Sequence, residues 1–303
     1  MRDGAQYLAS HEDRLAWIMG SSRSGSTWLG KMLGAISNAA CIDDPHLGHH
    51  LGTWRPISIA WATAADRPEL TTLRALKRDH DDYFFSDRYR DAWMPALRDL
   101  VRARFGAQLA EQATTEEPHL FVKEPGSQSA QLIFEAFPAS RLIFLLRDGR
   151  DVVESWLDAY DEGSWAIEGG AFNVSDEGRL PLIRWLSTVW AFRTAAVGRA
   201  YERLSPQARV MVRYERLLDD PASELKRICE TCGIDCDELE TIAEQHRFSR
   251  ISPAERGSGQ AARAASPGGW RESMSVREQR AMHEIMGPTL ARLGYGWRQP
   301  RAA

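Results

Sequence analysis

The segment from Leu15 to Ile36, LAWIMGSSRSGSTWLGKMLGAI, constrains the fold more than any other stretch. It opens with a short apolar run, Leu15 to Met19, long enough for a buried strand. A loop of small residues follows, Gly20-Ser21-Ser22-Arg23-Ser24-Gly25-Ser26-Thr27. Trp28, Leu29, Met32, Leu33 and Ile36 then repeat at helical spacing. Strand, glycine loop and helix together hold phosphate well. The loop amides converge on the anion, and the helix N-terminus adds partial positive charge.

The spacing narrows the chemistry. Gly20, Gly25 and Thr27 fall where the pattern GxxxxGK[ST] has its glycines and hydroxyl, but its lysine position holds Ser26. In triphosphate enzymes that lysine reaches the β- and γ-phosphates, and the hydroxyl beside it holds magnesium. Here the positive charge lies inside the loop, at Arg23. Such a loop suits a shorter anionic group.

The 303 residues are ample for a sizeable core and read as a single domain, 1–303. A net charge of −4 exerts no global pull on nucleic acid or anionic membrane, so any basic site has to be local. No apolar run reaches transmembrane length, and the polar N-terminus MRDGAQYLASHEDRL lacks the apolar core of a signal peptide. The expectation is a cytoplasmic protein with neither a nucleic-acid nor a membrane partner. Cys229 and Cys232 form a CxxC spacing, but they lie in a helix-like segment, Ala222 to Cys232. No second pair of cysteines or histidines is near enough in sequence to complete a tetrahedral site. No metal is expected.

Other segments carry charge at the ends of apolar runs. Leu120 to Lys123 reads as a short buried strand running into Glu124-Pro125-Gly126. Arg141 to Leu146, RLIFLL, is the clearest strand and leads into Arg147-Asp148-Gly149-Arg150-Asp151-Val152-Val153-Glu154-Ser155. Arg147 leaves the strand tip and suits bidentate contact with a phosphate. Ser155 falls two turns into the next helix, and Asp151 braces its first turn. Asn38 to Gly52 reads as a loop rich in titratable groups, among them Asp43, Asp44, His46, His49 and His50. Arg209 to Val212 is a further strand, and Asp220-Pro221 opens a helix in cap and first-turn order. Ser275-Val276-Arg277-Glu278 is a capping box whose helix Gly294 stops.

Arg23-Ser24-Gly25-Ser26-Thr27-Trp28 resembles the 5′-phosphosulfate loop of the sulfotransferases, which use 3′-phosphoadenosine-5′-phosphosulfate (PAPS). The stretch from Arg147 to Ser155 resembles that family's 3′-phosphate motif, R-x-x-[KR]-D-x-x-x-S. Together they imply an adenosine 3′,5′-bisphosphate moiety rather than ATP. The resemblance implies an α/β fold: a P-loop-like three-layer domain with a central parallel sheet flanked by helices.

It also implies roles. Arg23, Ser24, Gly25, Ser26 and Thr27 would surround the 5′-phosphate, and Trp28 and Tyr214 would flank the adenine. Arg147 and Ser155 would hold the 3′-phosphate, joined by Arg256-Gly257 or Arg263 from a closing loop. Lys123 matches the lysine of a Lys-x-His strand end in cytosolic members, but the histidine position holds Pro125. That departure passes the base to a carboxylate. Asp44 comes first, because an ungapped count from Arg23 puts it on the catalytic glutamate of the Golgi protein-tyrosine sulfotransferases. Glu124 comes second. Residues 53–115 would form a helical acceptor-side insertion, and 158–180 and 249–270 lid loops.

The reaction implied is sulfuryl transfer from PAPS to a hydroxyl, less readily an amine, of a small-molecule, carbohydrate or lipid acceptor. A P-loop small-molecule kinase is the alternative. Ser26 in place of lysine weighs against it, as does the lack of a strand-end aspartate for magnesium. A non-catalytic nucleotide-binding protein is the third reading. The sequence leaves the acceptor and the oligomeric state open.

Overall fold

The computed structural model describes residues 3–51, 81–159, 176–252 and 266–296. In chain order the elements are α1 (Gly4–Ser10), β1 (Leu15–Met19), α2 (Ser26–Gly34), β2 (Ala39–Asp43), α3 (Leu47–His50), α4 (Arg90–Gln112), β3 (His119–Lys123) and α5 (Ala130–Ala136). After them come β4 (Arg141–Leu146), α6 (Gly149–Ala159), α7 (Asp176–Arg203), β5 (Arg209–Arg213), α8 (Tyr214–Asp219), α9 (Pro221–Cys232), α10 (Leu239–Gln245), α11 (Trp270–Ser273) and α12 (Val276–Arg292).

The five strands form one parallel sheet in the order β2-β3-β1-β4-β5. A parallel sheet is covered on both faces, so its central strands are apolar throughout rather than alternating. All residues of β1 and β3 are buried accordingly. The pleat sends Ala16, Ile18, Phe121, Ile143, Leu145, Val210 and Val212 to one side, against α2, α9 and α10. On the other side Trp17 meets Phe105 of α4 and Phe137, with ring centroids 5.9 and 5.8 Å away. Its indole N–H donates to Ser140 Oγ at 3.1 Å, so the buried ring leaves no polar atom unsatisfied. The sheet between two helical layers bears out the expected architecture.

Cys229 and Cys232 belong to the apolar cluster under α9, and burial pushes both thiols up to about 12. They are packing residues. Among the described residues no helix is long and apolar enough to cross a membrane.

Contacts divide the chain into two compact units. One takes Met1–Trp54, Arg74–Leu146 and Ala196–His246, and holds the sheet. The other takes Arg55–Leu73, Arg147–Ala195 and Arg247–Ala303. Within the second, Gly149 opens α6 against the ring of Trp190 and the sulfur of Met286. The Ser275 capping box forms as expected and starts α12.

Several sequence expectations need correction. Asn38 to Gly52 is not a continuous loop: Ala39–Asp43 is the edge strand β2, and Leu47–His50 makes a helical turn. Only Ala40 and Ile42 of β2 are buried, and Ile42 is its one large aliphatic residue, so the strand does not announce itself. The proposed lid at 158–180 is helical at both described ends. Asp158 and Ala159 complete α6, and α7 begins at Asp176, with Pro181 inside it. Proline there costs one internal hydrogen bond near the start of a 28-residue helix. Of 249–270, Ser249 and Arg250 close a 3-10 turn and Trp270 begins α11. Of the helical insertion expected at 53–115, Arg90–Gln112 is helix α4, and 53–80 lies outside the described residues.

Candidate active site

In a parallel sheet all carboxyl ends share one edge, and ligands bind there, at the point where strand order reverses. That point is β1, with β3 and β2 on one side and β4 and β5 on the other. The register pairs Ile18 with Lys123 and Asp43 with Lys123. The loop after β1 therefore shares this edge with the charged ends of β2 and β3.

The loop is shaped by its backbone. A Cβ at Gly20 would stand 2.0 Å from the Leu145 carbonyl oxygen, so only glycine lets the chain leave β1 so close to β4. Gly25 caps α2 at φ +90°, and a Cβ there would stand 2.6 Å from the Tyr214 ring. Arg23 is also left-handed, at φ +69°, which is costly for a side-chain-bearing residue. Left-handed residues in such a turn direct backbone N–H groups into an anion-binding concavity. Between the two, Ser24 is 1% exposed, and its hydroxyl has no hydrogen-bond partner among the described residues. A buried, unpartnered hydroxyl in a loop of this shape fits an anionic ligand. Ser26 and Thr27 begin α2, so the position that holds lysine in triphosphate enzymes is the first residue of the helix.

Lys123 sits beside the loop. Its side chain is buried, and Nζ donates to Thr27 Oγ1 at 2.8 Å. The same nitrogen lies 2.5 Å from Asp43 Oδ1 and 2.8 Å from Asp44 Oδ2. Both carboxylates reach solvent, with side chains 62% and 43% exposed. Asp44 and His46 flank Pro45 in left-handed backbone, at φ +49° and +55°. The structure thus brings Asp44, Lys123 and Thr27 together, as the sequence expectations require of one site.

Glu124, the second carboxylate candidate, is placed differently. It is 1% exposed, and its carboxylate accepts the Gly126 N–H at 2.6 Å. Burial pushes its carboxyl up to about 7, while the amides of Gly126, Gly48 and Leu47 pull it down and the Asp44 carboxylate adds to the rise.

Trp28 and Tyr214 lie next to the loop. The Trp28 indole N–H donates to the His246 carbonyl at 2.6 Å, and its ring stands edge-on to Tyr214 with centroids 6.4 Å apart. Tyr214 opens α8 and is buried.

The second charged motif belongs to the other unit. Arg147 directly follows β4, two residues before α6, and Ser155 lies on α6; both are buried. Asp151 accepts the Gly268 N–H on both carboxylate oxygens at 2.9 Å, and burial pushes its carboxyl up to about 6. Arg150 turns inward. It pairs with Asp148 at 2.7 Å, donates to the Gly296 carbonyl at 3.1 Å, and stacks 4.2 Å from the Trp270 ring centroid. Arg256, Gly257 and Arg263 lie outside the described residues.

Sequence reasoning missed two features here. Asp43 was one titratable residue among several until the β2–β3 register set it against Lys123. Ser127, whose hydroxyl donates to the Gly20 carbonyl at 2.5 Å and so ties the β3 side to the loop, had no signal at all.

The comparisons with known proteins come to the same place. The model of the Sulfotransferase family matches residues 16–238. Curated proteins give no match. Among solved structures, a mouse sulfotransferase in complex with PAP is 14% identical, with 94% of this chain and 88% of that one covered at a TM-score of 0.51. A sulfotransferase from Mycobacterium avium is 15% identical, with 95% and 81% covered at a TM-score of 0.52. Identities this low speak for the fold. The family match takes in the glycine loop, Lys123, the Arg147–Ser155 motif and Tyr214 together, and the chain belongs to the sulfotransferase family.

Proposed function

We propose that the protein moves a sulfuryl group from PAPS to a hydroxyl, less readily an amine, of a small-molecule, carbohydrate or lipid acceptor. Adenosine 3′,5′-bisphosphate (PAP) is the other product. The observation that carries this reading is the left-handed loop around the buried, unpartnered Ser24 hydroxyl, with Lys123 beside it. A fold relative solved with PAP agrees with it.

PAPS supplies an activated sulfuryl group on its 5′-phosphate. The chain supplies position and charge, as in phosphoryl transfer. The loop amides, Arg23 and the Ser24, Ser26 and Thr27 hydroxyls hold the 5′-phosphate. Gly25 allows the backbone to approach it. Lys123 offsets the charge that gathers on the departing phosphate oxygen. As the acceptor oxygen bonds to sulfur and the bond from sulfur to that phosphate oxygen breaks, Asp44 takes the acceptor's proton. Asp44 is solvent-accessible and within reach of the same lysine, which favours it over Glu124. Trp28 and Tyr214 flank the adenine, and Arg147, Ser155 and the Arg256-Gly257 region hold the 3′-phosphate. Arginine and lysine supply the cations, so no metal is required.

Calorimetric binding of PAP, compared with ADP with and without magnesium, tests the reading. Metal-free binding of PAP in preference to ADP is expected. Preference for ADP with magnesium would overturn it in favour of a kinase.

A further inference from the structure

We propose that Asp43 is a positioning residue: its carboxylate is the standing counter-ion of Lys123 and holds the ammonium beside Thr27, which leaves Asp44 as the exchangeable partner. The proposal rests on the sulfotransferase reading for its catalytic meaning, because Lys123 and Asp44 carry the chemistry there.

An ammonium has three N–H donors and no acceptor. Lys123 uses all three. Its Nζ lies 2.8 Å from Thr27 Oγ1, 2.5 Å from Asp43 Oδ1 and 2.8 Å from Asp44 Oδ2. The side chain is 5% exposed, and a charge buried to that degree needs a partner. Saturated in this way, the lysine reaches an oxygen of the sulfuryl donor only by giving up one of the three. Two carboxylates on one ammonium also leave the cluster net negative, which opposes an anionic donor until one carboxylate withdraws.

The two carboxylates are not equivalent. Asp43 is the last residue of β2, and the register pairs it with Lys123 on β3. Side chains alternate along a strand, so Asp43 shares a face with Cys41, and Lys123 shares one with Phe121. Helix α2 covers that face. A Cβ on Gly30 would stand 3.3 Å from Cys41 Sγ, one on Gly34 would stand 3.1 Å from Cys41 Cβ, and Phe121 packs in the same core as Leu29 and Leu33. Thr27 lies in the first turn of α2. The sheet register itself therefore gathers Asp43, Lys123 and Thr27, and the contact with Asp43 is the shorter of the two ion pairs.

Asp44 follows the strand, in left-handed backbone at φ +49°. Its N–H donates to the Lys123 carbonyl at 3.1 Å, but its side chain leaves from a turn rather than from a ladder, and it is 43% exposed. Rotation of the Asp44 carboxylate away from Nζ does two things at once. It releases one N–H for the departing phosphate oxygen, and it releases the carboxylate for the acceptor's proton. Asp43 and Thr27 keep Nζ in place meanwhile.

Heteronuclear NMR of the ammonium groups, on the full chain labelled only in its lysines, tests the proposal, with PAP calorimetry on the same samples. The chain has four lysines, Lys31, Lys77, Lys123 and Lys226, and Lys123→Arg identifies the Lys123 signal by its loss. The wild type should show a slowly exchanging Lys123 ammonium. Asp43→Ala should speed exchange of its protons about tenfold or more, and Asp44→Ala about threefold or less. Asp43→Glu, which keeps a carboxylate, should restore slow exchange. Where Asp43→Ala fails to fold, Asp43→Asn replaces it, removing the charge and keeping the shape. PAP affinity in the alanine variant should stay within about threefold of wild type, because the loop amides and Arg23 hold the 5′-phosphate. A fast-exchanging Lys123 in the wild type would overturn the proposal, as would wild-type exchange in Asp43→Ala or its replacement. Equal effects of removing Asp43 and Asp44, or a glutamate variant that does not restore slow exchange, would overturn it too. A larger loss of PAP affinity would make Asp43 a support of the loop rather than of the lysine. Failure of the wild-type protein to bind PAP would overturn the sulfotransferase reading instead, and the exchange result would still decide whether Asp43 holds the lysine.

Discussion

Lys123 Nζ lies 2.8 Å from Asp44 Oδ2, and the same nitrogen reaches Thr27 Oγ1 on the far side, also at 2.8 Å. One buried lysine thus links the first turn of α2 to the carboxylates at the end of β2. The lysine comes 96 residues after Thr27 and about eighty after Asp44. The link depends on the parallel register that sets Asp43 against Lys123.

Asp44→Asn is expected to leave PAP binding intact and to lower turnover about a hundredfold or more, the usual scale for loss of a general base. Calorimetry checks the first half; release of PAP from PAPS with a panel of phenols and alcohols checks the second. If Glu124→Gln behaves this way and Asp44→Asn does not, the base is Glu124.

Arg147→Ala is expected to weaken PAP binding by about 2 kcal/mol, or roughly thirtyfold, because it strips a charge-assisted pair from the 3′-phosphate. Unchanged affinity by calorimetry would remove the Arg147–Ser155 motif from the nucleotide site.

Gly25→Ala places a methyl group 2.6 Å from the Tyr214 ring, on a residue at φ +90°. Overpacking and the left-handed penalty together predict a loss of about 2–4 kcal/mol in stability. Chemical denaturation measures this directly, and a midpoint equal to wild type would contradict the loop geometry.

Asp151 gives a pH-dependent signature. Burial raises its carboxyl from 3.8 to about 6, although Arg147 nearby pulls it down, while Asp148 and Glu154 reinforce the rise. The folded state therefore binds this proton more tightly than the unfolded chain does. The group's contribution is fully present below about pH 4 and is lost as pH rises through about 6, a swing of about 3 kcal/mol. Asp151→Asn keeps an acceptor for the Gly268 N–H and removes the titration. Between pH 4 and 6 the wild type should lose stability relative to the variant. Parallel denaturation curves across that range would refute the assignment.

What the sequence determined on its own was local. Leu15–Met19, Leu120–Lys123 and Arg141–Leu146 are apolar runs bounded by polar or small residues, and they are strands or parts of strands in the structure. Asp220-Pro221 and Ser275 to Glu278 start helices through bonds within four residues, so their signals survive without tertiary context. The glycine spacing from Gly20 to Thr27 likewise marked the turn between β1 and α2. The tertiary structure decided the rest. β2 joined the sheet because β3 gave its backbone a partner, although only two of its five residues are buried. Arg150 turned inward because Trp270, more than a hundred residues away in sequence, supplies a ring face and Asp148 a counter-charge. Asp44 and Glu124 are both acidic residues beside a turn in the sequence. Burial and hydrogen bonding distinguish them, leaving one carboxylate open to solvent and the other buried against the Gly126 amide. Those are sums over neighbours that only the folded chain brings together.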